Sequence, residues 1–362
     1  MLLIRNKTVL ILSLSALTGL STSCKHDPKE IPEVGIEKAE PTPLIIEVPQ
    51  GIPPLPVPEE NPLTIEGVAL GRKLFYDERL SKDQTQSCAS CHIDEHGYAD
   101  SNRFSIGVEG LSGSRNAMAI TNLAYAPGFF WDGRAKTLEI QALEPVPNPL
   151  EMNLSWPVAL ERLNADEKYR EEFKLVFGVD WIDSIDVAKA IAQFERTMIS
   201  GNSKYDKFKR GQAEFTPLEL EGLDLFRTES ADCFHCHAEP LFMGFEYLSN
   251  GVQGEITDLG LGGITGRPQD MGLFKPPTLR NIEYTAPYMH DGRFNTLEEV
   301  VEFYNSGVHV DEVNVSPLMK KSNRFNGDLD LTPRQKEALV AFLKTLSDED
   351  FIKNPDFQDP DK

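Results

Sequence analysis

Four of the five cysteines lie in two Cys-x-x-Cys-His pentapeptides, Cys88-Ala89-Ser90-Cys91-His92 and Cys233-Phe234-His235-Cys236-His237. Two thiols three residues apart can each form a thioether with one vinyl group of a haem, and the adjacent His is then held under the iron as an axial ligand. A zinc site needs four converging N/S ligands, and neither half supplies an obvious second pair. A redox dithiol needs no trailing His and favours a βαβ context, which the sequence lacks. The motifs therefore predict two covalently bound haem c groups, one on Cys88, Cys91 and His92, the other on Cys233, Cys236 and His237.

Each motif is followed by a copy of one longer sequence. Asn122-Leu-Ala-Tyr-Ala-Pro-Gly-Phe-Phe-Trp131-Asp-Gly-Arg134, then Thr137-Leu-Glu139, recurs as Asn281-Ile-Glu-Tyr-Thr-Ala-Pro-Tyr-Met-His290-Asp-Gly-Arg293, then Thr296-Leu-Glu298. The chain thus reads as a fused pair of haem-binding units.

The elements that must hold these motifs are helices. Thr216-Pro217-Leu218-Glu219 is a capping box with Pro at the first helical position, and Thr332-Pro333-Arg334-Gln335 is another. Leu339, Phe342, Leu343 and Leu346 fall on one helical face, as do Val187, Ile191, Phe194 and Met198. Strand-like alternation is scarce, and stretches such as 254–277 read as loops.

The two copies diverge after Thr-Leu-Glu. In the second, Leu297, Val300, Val301 and Tyr304 continue a helical stripe, which turns Tyr304 inward as a candidate iron ligand. In the first, the matching position is Pro145, which cannot ligate iron and ends the helix. One haem is thus expected to be capped on both sides and to pass electrons, the other to be open to small molecules. An open haem beside a carboxylate suits peroxide chemistry, because O–O heterolysis needs a group that moves a proton between the oxygens. Glu151 is the candidate, with Gln141 positioning peroxide or water.

From about Pro62 to Leu346 the chain resembles the bacterial di-haem cytochrome c peroxidase family, which includes the MauG proteins. The matching stretches are Leu70–Asp77, both haem motifs, Ser114–Ala117, Phe130–Arg134, Pro147–Met152, Phe274–Asn281 and Ala286–Gly292. The resemblance implies an all-α fold of two cytochrome c-like domains with a haem in each. It makes the N-terminal haem, on His92, the peroxide-reactive one, and the C-terminal haem, on His237, the electron acceptor. It implies Trp131 as a relay between them, Gln141 and Glu151 as the distal-pocket pair, and Asn116, Thr285 and Pro287 as ligands of an interdomain Ca²⁺. It also implies pairing as a homodimer.

Three positions depart from typical members. Val108 stands where peroxidases of the family carry a removable distal His, so the N-terminal haem is expected to be open when fully oxidised. His96 lies too near His92 to serve instead. Tyr304 stands where those peroxidases have Met and MauG proteins have Tyr; an anionic oxygen ligand lowers the potential of its haem relative to Met. Met289 and Met319 are rival ligands, expected instead to be packing or surface residues. Ala231 occupies the place of the surface Trp through which MauG oxidises its partner protein.

The ends and composition place these units. Arg5 and Lys7 precede an apolar run from Val9 to Leu20, too short to span a bilayer, so residues 1–23 read as a signal peptide. Cys24 follows directly and reads as a lipid-anchored cysteine. The Pro-rich segment 24–62 reads as a poorly packing tether. Residues 63–203 and 204–348 are then the two domains, and 349–362 a tail. A formal charge of −21 argues against nucleic acid and suits a cationic donor. The expectation is an exported, periplasmic cytochrome c peroxidase that reduces hydrogen peroxide with electrons from an exported small cytochrome c or cupredoxin. A MauG-like oxidase of a protein or small molecule, and a non-catalytic electron carrier or sensor, are the alternatives.

Overall fold

Capping residues set most helix boundaries. In the computed structural model, which describes residues 40–320 and 328–362, the α-helices are α1 (Ile65–Phe75), α2 (Leu138–Ala142), α3 (Trp156–Ala165), α4 (Glu167–Phe177), α5 (Ser184–Thr197), α6 (Lys204–Lys209), α7 (Pro217–Arg227), α8 (Gly262–Thr265), α9 (Leu297–Glu302), α10 (Pro333–Lys344) and α11 (Glu349–Ile352). The capping boxes expected at Thr216 and Thr332 are formed, each Thr side chain accepting from the N–H three residues on. Among the described residues there are no strands, only isolated bridges. Two of these repeat in register, Phe129 with Ala135 and Tyr288 with Phe294. None of the described helices is long and apolar enough to cross a membrane. The leader and Cys24 lie outside the described residues.

Each half is organised by one crossing of helices. α1 packs on α5, and α7 packs on α10. The stripes read from sequence supply the contact: Val187, Ile191, Phe194 and Met198 are buried, as are Leu339, Phe342, Leu343 and Leu346. Glycine allows the close approach in both. A Cβ on Gly71 would sit 1.9 Å from the Ala190 carbonyl oxygen, and one on Gly222 would sit 1.9 Å from that of Ala338. Backbone cannot yield as a flexible side chain can, so the helices would have to separate. Gly71→Ala or Gly222→Ala is therefore expected to cost about 1–3 kcal/mol, the usual range for overpacking. An unchanged denaturation midpoint would show that the crossings have slack.

The repeated Asn closes each half. Asn122 and Asn281 both adopt left-handed backbone, with φ of 55° and 62°. The Asn122 side chain accepts from Ser200 N at 2.8 Å and donates to Ser200 O at 3.0 Å, clamping the chain after α5. The Asn281 side chain accepts from Asp348 N at 2.8 Å, clamping the chain after α10. Asp348 then joins the two clamps, accepting from Ser200 Oγ and from the N–H groups of Gly201 and Asn202.

Two segments differ from their sequence reading. Of the expected tether, 24–39 lies outside the described residues, but 40–62 is docked. Leu44 N–H bonds to Leu63 O, the Tyr125 hydroxyl donates to Pro53 O at 2.7 Å, and Ile52 packs with Leu241 and Met243. The prolines keep this strip extended without stopping its few apolar residues from finding sockets. The expected tail, 349–362, is also docked. Phe351 and Phe357 are buried in a cluster with Phe75, Tyr98 and Phe194, and Arg72 and Tyr76 of the α1 region donate to the carbonyls of Pro355, Phe357 and Gln358.

Candidate haem and peroxide site

Both Cys-x-x-Cys-His motifs fold into the same tight turn. In the first, Cys91 N and His92 N bond back to Cys88 O; in the second, Cys236 N and His237 N bond back to Cys233 O. The turn needs only local hydrogen bonds, so the spacing suffices to form it. Each His is then oriented through Nδ1. His92 Nδ1 lies 3.0 Å from Tyr98 O, and His237 Nδ1 lies 3.1 Å from Pro277 O and 3.3 Å from Phe242 O. A carbonyl partner makes Nδ1 the donor and leaves Nε2 as the free lone pair, the arrangement of a metal-binding imidazole. Burial keeps both rings neutral, lowering the His92 pKa and taking His237 down to about 4.

The surroundings of the second motif fit a haem. Beside the second motif is a cavity of about 230 Å³, with Cys233, Cys236 and His237 among its walls and Leu297, Val300 and Tyr304 also lining it. The inward stripe is thus observed, with one difference: α9 ends at Glu302 and a single π-helical turn, Phe303–Gly307, carries Tyr304. Such wider turns recur at functional sites. In the first half, Glu195 and Arg196 are buried, and Glu195 Oε2 and Arg196 Nη1 meet no hydrogen-bond partner, while Arg196 Nη2 pairs with Glu139 at 2.7 Å. Glu195 is near enough to raise the Cys88 thiol's pKa, and its own is pushed up by burial to about 8. Orphaned buried polar atoms cost free energy unless a further partner meets them.

Glu151 stands on a turn organised by Asn148. The Asn148 amide donates to Glu151 Oε1 at 2.6 Å and accepts from Leu150 N, and Asn148 O accepts from Glu151 N and Asn153 N. From the other side, Val108 N donates to Glu151 O at 2.9 Å, so the loop bearing Val108 lies directly against this turn. Burial raises the Glu151 pKa, opposed by the Asn148 hydrogen bond and the Arg134 charge. Lys82 N, on the chain leading into the first motif, donates to Met152 O at 2.9 Å, so the Glu151 turn lies against that approach. Gln141 lies on α2, one turn before Glu144, which pairs with Arg134 at 2.7 Å.

Trp131 lies at the junction of the halves and lines the second cavity. Its Nε1 donates to Asn116 O at 2.9 Å, and Asn116 N donates to His290 O at 2.8 Å. The His290 ring stacks on Phe274 at 3.9 Å and meets Trp131 edge-on at 6.4 Å. Trp131 O accepts from Lys275 N, and the buried Lys275 ammonium donates to Gly128 O at 2.6 Å. Arg115 braces the same loop by binding Asp132 at 2.5 Å and Asp258 at 2.7 Å. Asn116, Thr285 and Pro287 all line this cavity. Met289 and Met319 also line it, while His96 lies in a separate surface hollow with Glu95 and Glu283.

A sequence profile described as di-haem cytochrome c peroxidase matches residues 65–214. The chain is 37% identical over 310 residues to a cytochrome c551 peroxidase of Nitrosomonas europaea, covering 84% of this chain and 86% of that one. The chain belongs to the di-haem cytochrome c peroxidase family. Within that family it is also 36% identical over 300 residues to the methylamine utilization protein MauG of Methylorubrum extorquens, covering 82% of each. A solved MauG-like protein associated with microbial copper homeostasis superposes with a TM-score of 0.79 at 37% identity, covering 88% of this chain and all of that one. The family accounts for two c-type haems and an oxidoreductase of the peroxidase kind.

Sequence reading missed Asn148, which positions Glu151, and Lys275 and Arg115, which brace the Trp131 loop. Their partners lie across turns or in the other half. The Ser114–Ala117, Pro147–Met152 and Phe274–Asn281 stretches marked only their neighbourhoods.

Proposed function

We propose that this di-haem peroxidase reduces hydrogen peroxide to two waters, taking two protons and two electrons per turnover, with electrons from an external donor entering through the C-terminal half. The observation that carries the reading is the half-buried Glu151 carboxylate, held by Asn148 on a turn that Val108 N and Lys82 N, from the chain flanking the first motif, bond through Glu151 O and Met152 O. When bound, the haems supply the iron that cleaves the O–O bond and the store of electrons. Glu151 takes the proton from one peroxide oxygen and returns it to the other, and Gln141 orients the peroxide or water. Trp131 carries electrons between the halves, its position fixed by Asn116 and Lys275. His92 and His237 hold the irons through Nε2, and Tyr304 is the second ligand of the C-terminal haem. Asn116, Thr285 and Pro287 hold Ca²⁺ through neutral oxygens at the junction. The two halves are two cytochrome c-like domains, and the chain works outside the cytoplasm, in the periplasm, anchored through Cys24. Its donor is a small cytochrome c or a cupredoxin with a cationic face, matched to the −21 charge.

The second reading, a MauG-like oxidase, is favoured by Tyr304 on the cavity wall. Against it stands position 231, a buried alanine 7% exposed, which offers no surface aromatic as an exit for oxidising equivalents. Rapid mixing of the fully oxidised protein with stoichiometric peroxide tests both. Val108 offers no imidazole, so a prompt absorbance change without pre-reduction is expected. Rapid decay on adding a reduced donor marks a peroxidase, and a long-lived product marks the oxidase. No reaction until one haem is reduced would overturn the open site.

A further inference from the structure

Tyr304 does not meet the cavity alone. The Asn250 amide Nδ2 donates to Tyr304 Oη at 2.9 Å and lies 3.6 Å from Met289 Sδ. One side chain therefore engages both the proposed ligand and its sulfur rival. Its orientation is fixed rather than adaptable. Asn250 Oδ1 accepts from Val252 N at 3.2 Å, which turns the NH₂ face toward Tyr304. The segment beneath is pinned by the buried Glu312 carboxylate, which accepts from Ser249 Oγ, from Gln253 N at 3.2 Å and from Gly254 N at 2.9 Å. From the opposite side, the π-helical turn is held by Asn305, whose carbonyl accepts from Leu329 N and whose side chain accepts from Leu331 N.

We infer that Asn250 is a positioning residue that selects the oxygen of Tyr304 over the sulfur of Met289 as the second ligand of the C-terminal iron. Phenolate oxygen has lone pairs for a metal and for a hydrogen bond at once, so an N–H donor stabilises the anionic ligand in place. The same N–H is a weak partner for a thioether and engages its sulfur. Asn250 thereby lowers the potential of the C-terminal haem through the ligand it favours. The inference rests on Tyr304 ligation, proposed above.

The test is Asn250→Asp in the holoprotein. Asp keeps the acceptor for Val252 N and nearly the same volume but loses the N–H donor. Resonance Raman bands of iron-bound tyrosinate and the midpoint potential of the C-terminal haem are read at one neutral pH. The wild type should show the tyrosinate bands. In the variant they should be lost from most of the protein, with the potential shifted; a thioether-to-iron band that disappears in N250D/M289L would identify the replacement. Asn250→Ala, which adds no charge, should give the same loss of tyrosinate bands with an upward shift of potential. Tyrosinate bands and potential unchanged in both variants would overturn the role of Asn250 while leaving Tyr304 as ligand. Absence of the bands from the wild type would overturn Tyr304 ligation itself, and the inference with it.

Discussion

Glu151→Gln is expected to lower peroxide turnover by about 10²–10⁴-fold, the range for loss of a positioned acid–base group, with both haems still attached. Gln matches the size of Glu and can keep a hydrogen bond to Asn148, so the turn at 145–153 should persist. What it loses is the proton acceptor on the turn held by Asn148 against the Val108 loop. The pH dependence carries the same signature. As a base Glu151 works ionised, and burial raises its pKa. Wild-type turnover should therefore rise with pH along a limb lying above the ordinary carboxylate range, and E151Q should lack that limb. Steady-state peroxide consumption and the mass of the haem-bearing chain are the measurements. Turnover equal to the wild type would remove Glu151 from the chemistry.

Asp206→Ala is expected to destabilise the protein by about 3–5 kcal/mol, the cost of leaving a buried charge without its partner. Arg280 is fully buried, its side chain 0% exposed, and grips Asp206 through Nη1 at 2.8 Å and Nη2 at 2.9 Å. Nε and Nη2 also donate to Pro240 O. Asp206 also accepts from Ser203 N and Oγ at the start of α6. Removing the carboxylate strands a guanidinium in the second core and removes one half of the α6 capping box, leaving the Ser203 cap. These contacts, chiefly the Arg280 hydrogen bonds, hold the Asp206 pKa below its ordinary value against the cost of burial. The unfolded chain then binds a proton at higher pH than the folded one, so acid favours unfolding. The stabilisation is complete at neutral pH and lost as the pH falls through the ordinary carboxylate range toward the depressed folded value. Denaturant midpoints of wild type and D206A should converge in acid. A gap that stays constant down to low pH would assign the loss to packing alone.

The chemistry was most legible where it is local. A Cys-x-x-Cys-His turn closes through bonds from residues 91 and 92 to 88, or from 236 and 237 to 233, so spacing alone builds it. Thr216 and Thr332 announce helix starts because a cap reaches only three residues. The repeated Asn122 and Asn281 were visible as a duplication, but their use as clamps was not. Their partners, Ser200 and Asp348, lie 78 and 67 residues away.

The sequence by itself determined the two haem motifs, the helical stripes, the duplication and its break at Pro145 and Tyr304, because each is set by residue types within a few positions. Only the tertiary structure decided the rest. It half-buried Glu151 by folding the Val108 loop against its turn, and it aimed Asn250 at Tyr304 across 54 residues. It turned two expected loose ends, 40–62 and 349–362, into docked segments, since whether a proline-rich strip or a short tail packs depends on sockets supplied by distant chain. Periodicity records which face of a helix is apolar. It does not record which distant side chain completes a hydrogen bond, as Asn250 does on Tyr304, or which chain buries a group, as burial raises the pKa of Glu151.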